Sequence, residues 1–101
     1  MPVNLLARIE LRTGALPRFV EAMKAIVPVA EGAGWKLLAA YVQRTGRLNT
    51  VLDVWELEDH NHLDRGLAAI AAAPQLAPAL AILAETIETE TLTFAAPLNY
   101  G

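Results

Sequence analysis

Asp53 is the residue of this chain best placed to do chemistry, because it stands inside the otherwise apolar run Val51-Leu52-Asp53-Val54-Trp55. A carboxyl group among such neighbours must either be paired or keep its proton to higher pH. The second outcome is what a general acid–base working near neutrality requires. Arg8 and Glu10 share one face of an earlier alternating segment and are expected to reach Asp53, with Arg8 holding an anion or the ionised Asp53 and Glu10 exchanging protons. The competing reading makes them an ordinary cross-strand ion-pair network. Trp35, Tyr41 and Trp55, with Val51 between them, offer flat apolar surface and a few polar handles, the combination that lines pockets for organic ligands and also fills cores. His60 and His62 fall where a strand gives way to a helix and can titrate near neutrality. One of them is expected to act on protons or ligand, against the alternative of a solvated helix cap. Two residues apart at a helix start they diverge, and no H-E-x-x-H pattern is present, so no metal site is expected. Glu88 and Glu90 are expected to share one strand face as a solvated pair.

The elements that must position these residues can be read from hydrophobic periodicity. Leu5, Ala7, Ile9 and Leu11 alternate with Leu6, Arg8, Glu10 and Arg12, which predicts a strand with one oily face. Gly14 ends it and Pro17 suits the first turn of a helix. Leu16, Phe19, Val20, Met23, Val27 and Ala30 then recur at three- and four-residue steps, giving a helix that Gly32 and Gly34 close. Trp35–Arg44 and Leu48–Leu57 read as a hairpin around Thr45 and Gly46. Asp59 is a candidate N-cap for a helix carrying Leu63, Leu67 and Ile70, which Pro74 stops. A second helical piece with Leu76, Leu80 and Leu83 leads into a last strand, Thr86–Phe94.

The resulting order, βαββαβ, predicts an α+β, ferredoxin-like antiparallel sheet with its helices on one face. The uncovered face is expected to carry Leu6, Tyr41, Val51 and Trp55 together with Arg8, Glu10 and Asp53. So much apolar surface predicts that a second copy packs there, with a small-molecule pocket around Asp53.

The stretch Gly46-Arg47-Leu48-Asn49-Thr50-Val51-Leu52-Asp53-Val54-Trp55-Glu56-Leu57, after Trp35-Lys36-Leu37-Leu38-Ala39-Ala40-Tyr41, resembles the NIPSNAP family. Glu10-Leu11-Arg12-Thr13-Gly14 resembles that family's N-terminal E-L-R-x-x-x-G segment. The resemblance covers most of the chain and implies a dimeric α+β barrel. Within the family, Ala7–Arg12, Gly34–Leu37 and Asn49–Leu57 look closest to small bacterial members of prodiginine-type pigment pathways, from which the sequence departs at His60-Asn61-His62. That likeness implies a role in secondary metabolism, assisting cyclisation and water loss on a reactive intermediate.

Composition sets the outer bounds. The sequence has 101 residues, 54% hydrophobic and 19% charged, with a formal net charge of −3. These values fit one globular domain over residues 1–101 rather than a disordered chain. No cluster of lysine or arginine offers a footprint for nucleic acid. Cysteine is absent, which removes disulfides and thiolate chemistry. Residues 1–12 lack the apolar core of a signal peptide and no run is long enough to span a membrane, so the expected location is the cytoplasm. No G-x-G-x-x-G, Walker A or G-x-S-x-G pattern occurs, and no cofactor is expected. The sequence thus predicts a cofactor-independent enzyme acting by acid–base catalysis on an apolar intermediate, with a non-catalytic binding or chaperoning module for a hydrophobic metabolite as the alternative.

Overall fold

A computed structural model describes residues 2–101. The first alternating segment forms β1 (Val3–Leu11), and Pro17 lies in the first turn of α1 (Leu16–Gly32), which continues past Pro28. Gly34, in the left-handed region at φ 101°, turns the chain into the hairpin β2 (Lys36–Val42) and β3 (Thr50–Leu57). The hairpin strands are shorter than the periodicity predicts, because residues 43–49 form a folded loop. The Gln43 amide closes it by donating to the carbonyls of Thr45 (3.1 Å) and Arg47 (3.2 Å). The second helical region is α2 (Asn61–Ala72), a 3₁₀ turn at Pro74–Leu76 and α3 (Ala77–Thr86), bent by 77° at the break. Pro74 lacks an N–H to continue α2, which explains where the bend falls. The last strand is β4 (Ile87–Ala95).

All strand pairs are antiparallel, in the order β2-β3-β1-β4. This is the ferredoxin-like α+β arrangement, with α1, α2 and α3 on one face. Register settles which side chains meet the helices. Leu5, Ala7 and Ile9 stand opposite Trp55, Asp53 and Val51, and directly opposed residues share a face. Both sets therefore point at the helices. Leu5, Trp55 and Leu57 pack with Ala30 and Trp35, while Ala7, Ile9 and Val51 pack with Phe19. The expectation that Val51, Asp53 and Trp55 occupy the uncovered face is thus corrected. Either face of β3 is apolar enough to be buried, since Leu52 and Val54 alternate with Val51 and Trp55, and pairing with β1 decides between them.

The open face carries Leu6, Arg8, Glu10, Tyr41, Leu52 and Val54, and no element among the described residues covers it. Leu6 and Tyr41 are exposed there. No single helix among the described residues is long and apolar enough to cross a membrane.

Candidate functional site

Two cavities lie between the helices and the sheet. The outer one, about 510 Å³, is a groove between α1 and the edge strand β2. Val20, Met23 and Val27 form one wall, Leu37, Ala40 and Val42 the other, and Tyr41 stands at the rim. It exists because α1 packs over β1 and β3 and leaves the edge strand only partly covered. The small side chain of Ala40, opposite Asp53 in the hairpin, keeps the floor open. The inner cavity, about 240 Å³, lies deeper, with Ala7, Trp35 and Trp55 among its lining and Leu80, Leu83 and Glu90 contributed by α3 and β4. Phe19, Met23 and Asp53 line both spaces and form the boundary between them.

Asp53 is the polar group at that boundary. Only 5% of its surface is exposed, and among the described residues no hydrogen bond or ion pair reaches its carboxylate. Burial pushes its pKa up from 3.8 to about 6, and the negative charge of Glu90 adds to the rise. Glu90 is itself shifted upward by burial, although its side chain still meets solvent along the exposed strand β4. Its shift is therefore the more easily screened of the two. An unpartnered carboxyl titrating near neutrality, facing apolar space on two sides, can take a proton from a bound molecule and return it.

Other predicted site residues divide between the two faces. Trp35 and Trp55 meet edge to face, ring centroids 5.3 Å apart, and both line the inner cavity. The Trp35 Nε1–H donates to the His62 carbonyl at 2.6 Å. Val51 lines the outer groove, whereas Tyr41, on the open face by register, reaches only its rim. Arg8 and Glu10 stand on the open face, and the sheet separates them from Asp53. There Arg8 donates to Gln43 Oε1 at 2.9 Å and lies 3.4 Å from Glu10, while Arg47 lies 3.2 Å from Glu10 and 3.4 Å from Glu88. Their expected approach to Asp53 is corrected, and the cross-strand ion-pair reading describes them.

The histidines line neither cavity. His60 packs edge to face on Phe94 at 4.5 Å. His62 is buried, with Nδ1 2.9 Å from Asp59 Oδ1, and its backbone N–H donates to the same oxygen at 3.2 Å. Asp59 thus caps the start of α2 as expected. Its pKa is lowered, first by the His62 side-chain hydrogen bond. Among the described residues no group of three or more potential ligands gathers for a metal.

Glu90 is the residue that sequence reasoning placed wrongly. A register shift in the β1–β4 ladder at Glu10/Leu11 separates it from Glu88. Glu88 joins the arginine network, whereas Glu90 pairs with Ile9 on the helix-covered side. Simple alternation along β4 carries no sign of that bulge.

This cavity-bearing sheet can be set beside known proteins. The family model for NIPSNAP matches residues 5–100. The chain belongs to the NIPSNAP family. Among curated protein sequences none matches it. Solved structures do. An uncharacterised NIPSNAP domain protein from Burkholderia xenovorans superposes with a TM-score of 0.80 at 20% identity, over 100% of this chain and 98% of the other. A NIPSNAP family protein from Agrobacterium tumefaciens gives 0.85 at 16% identity, over 99% and 96%. SnoaB of Streptomyces nogalater, a cofactor-independent oxygenase, gives 0.68 at 15% identity, over 97% and 94%. At these identities the likeness concerns the fold alone.

Proposed function

We propose that this NIPSNAP protein is a cofactor-independent enzyme of secondary metabolism that binds an apolar small molecule in the groove between α1 and β2 and moves protons on it with Asp53. The observation that carries this reading is the unpartnered, buried Asp53 carboxyl facing both cavities. Leaving such a group without a partner costs about 1–3 kcal/mol, a cost that a fold has reason to retain at a site of chemistry. The groove is of the size and apolar character typical of organic-ligand sites. With a pKa of about 6, Asp53 is ionised at neutral pH and not far from its protonated form. As carboxylate it withdraws a proton from a carbon beside a carbonyl. As carboxylic acid it returns that proton to another carbon, an isomerisation, or to a departing hydroxyl, which leaves as water. Neither course needs an external oxidant or reductant. The fold likeness to SnoaB, a cofactor-independent oxygenase, supports chemistry without a cofactor.

A second copy is proposed to cover the open face, burying Leu6, Tyr41 and Val54 and completing a dimeric α+β barrel. The non-catalytic alternative, a module that holds a hydrophobic metabolite, uses the same groove. Two variants separate these readings in one experiment that follows ligand binding and turnover of candidate polyaromatic intermediates. Ala40→Phe, which fills the groove floor, is expected to abolish both. Asp53→Asn is expected to keep binding of uncharged candidates within a few-fold and to reduce turnover by at least about a hundredfold, the usual scale of a lost acid–base group. Unchanged turnover in Asp53→Asn would remove the catalytic reading and leave the binding one.

A further inference from the structure

The inner cavity holds two carboxyl groups and no opposing charge. Asp53 pairs with Ala7 and Glu90 with Ile9, so the two acids stand on the helix-covered face on either side of β1. Two strand spacings and two residues along β1 put their backbones about 12 Å apart, with the methyl group of Ala7 and the side chain of Ile9 between them. No lysine, arginine or histidine lines this cavity among the described residues. Of the two indoles that line it, the N–H of Trp35 is already donated to the His62 carbonyl, and that of Trp55 makes no hydrogen bond to either carboxyl among the described residues. From α1, Lys24 lines the outer groove instead, and its Nζ lies 2.9 Å from Glu21. Helices α2 and α3 present Leu67, Ile70, Leu80 and Leu83, all without charge.

A carboxyl nine-tenths buried with no hydrogen-bond donor calls for a partner, because buried polar groups in folded proteins are almost always satisfied. The described residues supply none. Resting on the reading of the outer groove as a binding site, we propose that the inner cavity receives the protonated amine of an otherwise apolar ligand, held between Asp53 and Glu90. An ammonium supplies donors to both carboxylates and cancels their mutual repulsion, in surroundings where charge-assisted hydrogen bonds are strong. A carboxylate head would add a third negative charge. A hydroxyl would satisfy one acid and leave the other. Asp53, at the boundary with the outer groove, is the acid a ligand meets first, and Glu90 stands beyond it on the far side of β1.

The test uses three probes sharing one ring system, naphthylmethylamine, naphthylmethanol and naphthoate, titrated into the protein at pH 7.5 with binding followed by NMR shifts of groove residues. The amine is expected to bind about tenfold or more tightly than the alcohol, a ratio typical of one charge-assisted contact, and naphthoate to bind weakest. Glu90→Gln is expected to cut the amine's advantage several-fold without changing the affinity of the alcohol. Equal binding of amine and alcohol, or an amine preference untouched by Glu90→Gln, overturns the proposal while leaving the groove a binding site. If none of the three binds, the groove reading falls and this inference falls with it.

Discussion

At the scale of single residues, Asp53 couples stability to the proton. Its folded-state pKa of about 6 lies above the ordinary 3.8, so between those values the folded chain binds more protons than the unfolded one. Stability must therefore fall as pH rises through that window and level off above it. The full penalty is about 3 kcal/mol at neutral pH, taking ~1.4 kcal/mol per pKa unit. Replacing Asp53 by Asn removes it. Chemical denaturation as a function of pH is expected to show Asp53→Asn more stable than the parent by up to about 3 kcal/mol at pH 7.5, with the difference closing below pH 4. A variant that gains stability while losing turnover is the signature of a residue kept for chemistry.

At the scale of elements, packing between α2 and the start of β2 fixes the inner cavity's wall. A Cβ built on Gly66 would fall 2.1 Å from Trp35 Nε1, well inside contact distance and against a ring held by its hydrogen bond to His62. Gly66→Ala is thus expected to destabilise the fold by about 2 kcal/mol or more, in spite of alanine's better helix propensity. Gly32→Ala, where a Cβ meets nothing within 4 Å, is the control and is expected to change stability by less than about 0.5 kcal/mol. Thermal unfolding of the two variants distinguishes them. The existence and order of the elements were legible in the sequence, because β1 alternates cleanly and α1 carries a helical stripe. Which face of β3 is buried was not legible. Both of its alternating sets are apolar, and the set with Asp53 was expected on the helix-free face beneath a second copy, whereas pairing with β1 puts Asp53 beneath the helices. Trp35, Tyr41, Val51, Asp53 and Trp55 do line the cavities. Arg8 and Glu10 do not, for the same reason of register, and Glu90 was hidden by a bulge that depends on the partner strand.

At the scale of the whole molecule, the helix-free face remains to be accounted for. Leu6 is 38% exposed and Tyr41 60% exposed there, with the Arg8, Glu10 and Arg47 network at one end. An apolar patch rimmed by charge is the pattern of a self-association surface. Light scattering is expected to give a dimer for the parent chain and a monomer for Leu6→Asp combined with Val54→Asp, since each paired protomer would bury those charges without partners. Because both cavities lie on the opposite side of the sheet, the monomeric variant is expected to keep ligand affinity within a few-fold. A parent chain that runs as a monomer would dispose of the proposed barrel without touching the groove.

The proposed function rests on Asp53 being held unpaired and poised near neutrality beside the two cavities. It is tested most directly by following the Asp53 side-chain carboxyl carbon by NMR across pH 3 to 9. The midpoint is expected at about 6, moving downward when an amine-bearing ligand is bound. A midpoint near 4 in the free protein would contradict it, since the carboxyl would then already be solvated or paired.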